Sequence, residues 1–112
     1  MIAYLLSKFL KKKESKKNML TIFKYPIPIE DHFTLELPKN AKILTVQTQR
    51  GAPQLWAMVD SETEKEARHF RLSGTGHPLG EDYLRIINYI GTFQIENGAL
   101  VFHLFEIKKG EF

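Results

Sequence analysis

A chain of 112 residues can bury one hydrophobic core and is too short for two, so it makes a single domain. It has no cysteine, which excludes a disulfide framework, a thiolate zinc site and a thiol nucleophile, and fits a reducing cytoplasm. Its formal charge of +3 is uneven: residues 1–18 hold six lysines and one glutamate, net +5, and the other ten basic and twelve acidic side chains leave residues 19–112 at −2. That body lacks the basic footprint that grips a phosphate backbone, so nucleic acid is not an expected partner for it.

The opening stretch MIAYLLSKFLKKKESKKN is a basic extension, residues 1–18. Ile2, Leu6 and Phe9, with Leu5 and Leu10 beside them, recur at helical spacing ahead of the lysines, the pattern of a short anchor on a membrane surface. The apolar run is too short to span a bilayer, and its charge follows the run, the reverse of a signal peptide. The other reading is that translation starts at Met19, because Lys13-Glu14 is a dipeptide whose codons can form a ribosome-binding sequence. On that reading the extension is not native. Membrane contact is expected through these residues alone.

From Met19 the pattern is β. Thr21 to Tyr25 is a β-branched and aromatic run, and the prolines of YPIPI place it at an edge or at its end. Phe33, Leu35 and Leu37 alternate with polar residues as in a half-buried strand stopped by Pro38, with a turn at Lys39-Asn40. Ala41 to Gln49 is a longer strand, joined by RGAP to QLWAMVD, and the first half reads as an antiparallel meander. SETEKEA is a charged turn. Arg68 to Leu72 returns to strand, and the glycine loop GTGHPLG follows. IGTFQI and ALVFHLFEI close the chain as a hairpin about Asn97-Gly98.

EDYLRIINYIG carries two signals. Tyr83, Ile86, Ile87 and Ile90 fall at i, i+3, i+4 and i+7, which predicts a short amphipathic helix ending before YIGTF. Its β-branched content argues for a strand. The helix is the assignment adopted. The expected fold is mainly β: a compact antiparallel sandwich or barrel of about seven strands with one short helix, residues 19–112.

FKYPI, TLELPKNAKILTVQTQ, LWAMVD, EARHFRLSGTGHPL, YIGTFQ and GALVFHLFE together resemble a family of small phage and prophage proteins of uncharacterised function. The likeness runs from about Ile22 to Glu106, with GTGHP and GALVFHLFE the most specific phrases. The chain departs from it in its N-terminal extension and in its length between Pro78 and Tyr89. The resemblance implies expression in the cytoplasm of an infected or lysogenic bacterial cell and a start near Met19. It carries no catalytic residues.

Candidate sites are sparse. Thr75, Gly76 and His77 lie in a Gly-x-Gly turn whose backbone N–H groups can cradle an anion. The loop lacks the Lys-Ser/Thr of a phosphate-binding loop, so a plain tight turn is the other reading. His32, His69, His77 and His103 show no metal-ligand spacing, and neither a metal nor a cofactor is expected. No serine sits in a nucleophile elbow. Trp56 and Met58 share one face of a strand whose other face is Leu55, Ala57 and Val59. Trp56 is then either core or a stacking platform for a base, with Arg50, Arg68 or Arg71 holding the phosphate.

The expected ligand-binding set is Trp56, Arg71, Thr75, Gly76 and His77. The expected function is that of a non-enzymatic phage accessory protein that sequesters a nucleotide-type signalling ligand of its host to blunt a defence. The alternatives are a protein-interaction module that inhibits a host protein, and a small hydrolase using His77 with Arg71 or Asp60. Seven short strands leave open edges, so assembly into a homo-oligomer is also expected.

Overall fold

The computed structural model describes residues 19–110, and the reading of residues 1–18 as an anchor or leader lies outside them. Seven strands form: β1 (Leu20–Pro26), β2 (His32–Pro38), β3 (Lys42–Gln49), β4 (Ala52–Asp60), β5 (Lys65–Gly74), β6 (Ile86–Ile95) and β7 (Leu100–Ile107). One 3-10 helix, Gly80–Arg85, precedes β6. The strands make two antiparallel sheets, a three-stranded one ordered β1-β4-β3 and a four-stranded one ordered β2-β5-β7-β6. The mainly β sandwich is as expected, and the two sheets do not close into a barrel.

Alternation dictates the layers. Leu55, Ala57 and Val59 turn inward from β4, and Phe70 and Leu72 do so from β5, where Leu37 of β2 and Leu104 of β7 meet them. Phe33 stacks on Phe70, its register partner, with ring centroids 5.2 Å apart. Burying each such side chain contributes about 1.5–3 kcal/mol. Trp56 and Met58 point outward from the three-stranded sheet and are half-buried.

Two expectations are corrected. The first half is not a meander: only β3 and β4 form a hairpin, while β2 pairs with β5 and β1 pairs with β4. The residues 27–31 between β1 and β2 carry the chain from one layer to the other. The amphipathic helix is also shorter than its spacing suggests. It ends at Arg85, and Ile86, Ile87 and Ile90 belong to β6, where β-branched side chains fit a pleated surface. Among the described residues no helix is long and apolar enough to cross a membrane.

The sheets adjoin where β3 runs beside β6. The approach is tight at Gly91, where a methyl group would sit 2.9 Å from Cγ1 of Val46, so glycine lets the two strands touch. Next to that point both strands are irregular. The register of β3 shifts between Ile43 and Thr45, and that of β6 shifts between Ile86 and Asn88 and again between Tyr89 and Gly91. Such bulges bend a strand and break its pairing.

Candidate functional site

The shifts in β3 and β6 flank a cleft of about 510 Å³. One wall is Asn40 to Leu44, the other Asn88 to Ile90, and Arg68 and Glu106 complete it. Both charged residues sit at inward positions: Arg68 precedes Phe70 on β5, and Glu106 follows Leu104 on β7. They form an ion pair at the end of the core. Nε of Arg68 donates to Oε2 of Glu106, Nη2 donates to Oε1 at 3.0 Å, and Nη1 donates to the carbonyl of Ala41 at 2.9 Å. The hydrogen bond to Glu106 holds the guanidinium above its ordinary pKa against the opposing effect of burial. Lys42 and Tyr89 stand exposed at the rim.

Tyr89 also opens a chain of polar contacts over the outer face of the four-stranded sheet. Its hydroxyl meets Oγ1 of Thr92, which lies 2.8 Å from Nδ1 of His103. Nε2 of His103 lies 2.7 Å from Oγ1 of Thr75, so the glycine loop is tied to β6 through a histidine. Nothing local in the sequence marks these contacts of His103, because the residues that bond it are distant in the chain.

The loop itself is a turn with a task. His77 N–H donates to the carbonyl of Gly74 at 3.0 Å with Gly76 at φ 86°, the glycine position of a type II turn, and the His77 ring packs against Gly74. The chain then crosses Arg71. This side chain is buried, with Nη1 donating to Leu72 O and Nη2 to Pro78 O at 3.3 Å. Nε donates to Oδ2 of Asp82 at 2.8 Å, an oxygen that also lies 2.7 Å from Nε2 of His32. Arg85 donates to Oδ1 of Asp82 at 3.1 Å and to the carbonyl of Lys108. Loop and 3-10 helix thus form a strap over the sheet, fastened by Arg71 and Asp82.

Burial pushes the Asp82 carboxyl up, but the hydrogen bonds and positive charge of His32 and Arg71 outweigh it, and the carboxyl titrates below its ordinary value. A carboxylate whose pKa is lower folded than unfolded stabilises the fold above its unfolded value, about 3.9, and loses that effect as pH falls through the folded value. Urea unfolding from pH 7 to pH 3 should therefore show the unaltered chain losing stability below about pH 4. Asp82→Asn should start less stable at pH 7 and show a flatter acid limb. Parallel acid limbs for the two proteins would contradict the assignment.

The expected ligand set is split between surfaces. Thr75, Gly76 and His77 lie at the strap, and Arg71 is enclosed beneath it. Trp56 faces outward from the other sheet, with Nζ of Lys24 5.9 Å from its ring centroid and its Nε1–H buried without a partner among the described residues. Asp60 serves the β4–β5 turn, accepting from Glu62 N–H and Thr63. The cleft residues Arg68 and Glu106 were not picked as a site together. Their signal was present all the same: opposite charges at inward positions of two strands that alternate with core residues. Among the described residues no group of histidine and acidic side chains is arranged to hold a metal ion.

Neither the curated proteins nor the solved structures contain a match to the chain. A family match, in contrast, covers most of it, over residues 19–111 and so over every strand of the sandwich. The chain belongs to the family described as a domain of unknown function, DUF7352.

Proposed function

We propose that this chain is a non-enzymatic accessory protein of phage or prophage origin that sequesters a phosphorylated nucleotide-type ligand of its bacterial host in the β3–β6 cleft. The observation that carries the reading is the cleft itself, with an inward ion pair in its wall. A volume of about 510 Å³ falls within the range that takes small ligands, about 300–1,000 Å³. Lys42 and Arg68 against Glu106 leave one net positive charge around it. Asn40 and Asn88 offer amide donors and acceptors in its walls. Binding alone needs no more than this. Hydrolysis at His77 has less support, because its ring rests on Gly74 and neither Arg71 nor Asp60 is free to assist.

The test is a thermal-shift screen with linear and cyclic nucleotides. A ligand at a hundredfold excess over its Kd stabilises by about 2.7 kcal/mol, which raises the Tm of a domain this size by roughly 10 °C or more. Asn88→Ala and Lys42→Glu, both at exposed positions, should abolish the shift at a cost of no more than about 1 kcal/mol in basal stability. The ligand should be recovered unchanged after heat denaturation. A flat screen, or recovery of a hydrolysed product, would overturn the reading.

A further inference from the structure

We propose that β1 is a dimerisation edge, paired antiparallel with the β1 of a second copy of this chain about a two-fold axis at Phe23. This inference is independent of the cleft and its ligand. It begins with the position of β1 at the edge of the three-stranded sheet. Ile27 N–H donates to Pro53 O, and the ladder alternates, so the odd-numbered residues of β1 direct their backbone groups to β4. Leu20, Ile22, Lys24 and Pro26 therefore direct theirs into the open side. Among the described residues nothing pairs with them.

The side chains on this edge are those of an interior strand. Ile22 is 57 % exposed and Leu20 49 %, and both lie on the outer face that β4 continues with Met58 and Trp56. Phe23 points to the inner face, opposite the buried Ala57, and is still 42 % exposed, because no strand lies beyond it. The other free edge that begins its sheet, β2, is different: it turns His32, Thr34 and Glu36 outward and buries Phe33 and Leu37. A polar outward face is how proteins guard an edge, and β1 lacks one. Its only charge, Lys24, does not guard it either. Lys24 donates to Oε1 of Gln49 on β3 and lies over Trp56, which draws the ammonium across the sheet and away from the open side.

A second copy is the occupant that this edge fits. Centring the ladder on Phe23 uses all seven residues, with Ile22 opposite Lys24 of the second copy and Leu20 opposite Pro26. Each Ile22–Lys24 pair exchanges two backbone hydrogen bonds, and each Leu20–Pro26 pair makes one, since Pro26 has no N–H. Pro26 also ends the ladder at each side. No like charges face one another, because each lysine lies opposite an isoleucine and is drawn toward its own Gln49. The two Phe23 rings meet on the inner face and close the gap that leaves each exposed. The product is a continuous six-stranded sheet with an isologous interface.

The absence of native cysteine makes the register testable in the full-length chain. Light scattering should give twice the monomer mass of 13.0 kDa, and Ile22→Lys should return it to the monomer value with an unchanged circular dichroism spectrum and cooperative melting. Phe23→Cys places two thiols in a non-hydrogen-bonded pair, with Cα atoms about 4.5 Å apart, within disulfide reach. It should give a covalent dimer on oxidation. Thr21→Cys, which faces Tyr25 of the second copy, should not. A monomeric unaltered chain, a dimer that survives Ile22→Lys, or cross-linking at Thr21→Cys equal to that at Phe23→Cys would each overturn the proposal.

Discussion

Phe70→Ala should cost about 4 kcal/mol of stability, the largest loss expected from a single substitution in this chain. Phe70 has no exposed surface and is sandwiched between the layers, stacked on Phe33. Truncation removes the ring's transfer free energy and leaves a cavity that rigid neighbours on both sheets cannot fill. For a domain of this size 1 kcal/mol moves Tm by about 4–8 °C, so the melting temperature should fall by roughly 15–30 °C. Urea unfolding followed by the fluorescence of the only tryptophan, Trp56, measures it directly. A loss below about 1 kcal/mol would mean that the two sheets do not meet where they are described.

The second large effect concerns the cleft wall. Glu106→Leu should cost about 3 kcal/mol, because it leaves the Arg68 guanidinium partly buried with only the Ala41 carbonyl to accept from it. Arg68→Met should cost about as much by stranding Glu106. The double variant Arg68→Met, Glu106→Leu should be more stable than either single one, since an apolar pair of similar volume carries no desolvated charge. The coupling energy from the cycle should then be about 3 kcal/mol or more, the loss in one single variant. Additive losses would show that the two side chains act separately. If the cleft binds a nucleotide, the double variant should fold and fail to bind.

The strands of the interior were legible wherever alternation was clean. Asn97-Gly98 announced the β6–β7 hairpin, whereas Leu55, Ala57 and Val59 were legible only as one of two apolar faces of β4, and the structure makes theirs the inner one. The partner of β1 was not legible, because its pairing with β4 joins segments some thirty residues apart and leaves no local mark. The short helix was overextended for a physical reason. Two register shifts in β6 disturb the period-two pattern, so Ile86, Ile87 and Ile90 fall by coincidence at helical spacing. The same shifts hid the cleft, since a bulge lacks the Gly and Asn dipeptides that mark a turn. The strap was half legible: the glycines predicted its turn, while Arg71 was read as a ligand contact because its partner Asp82 arrives from the next element.

The measurement closest to the central claim is a titration of the isotopically labelled protein with the best nucleotide of the thermal screen, following backbone amide resonances. The account predicts saturable shifts centred on Lys42 to Leu44, Asn88 to Ile90, Arg68 and Glu106, with the Trp56 indole and Gly76 unmoved. Shifts centred on Trp56 or on Thr75 to His77 instead, or no saturable shift at all, would contradict it.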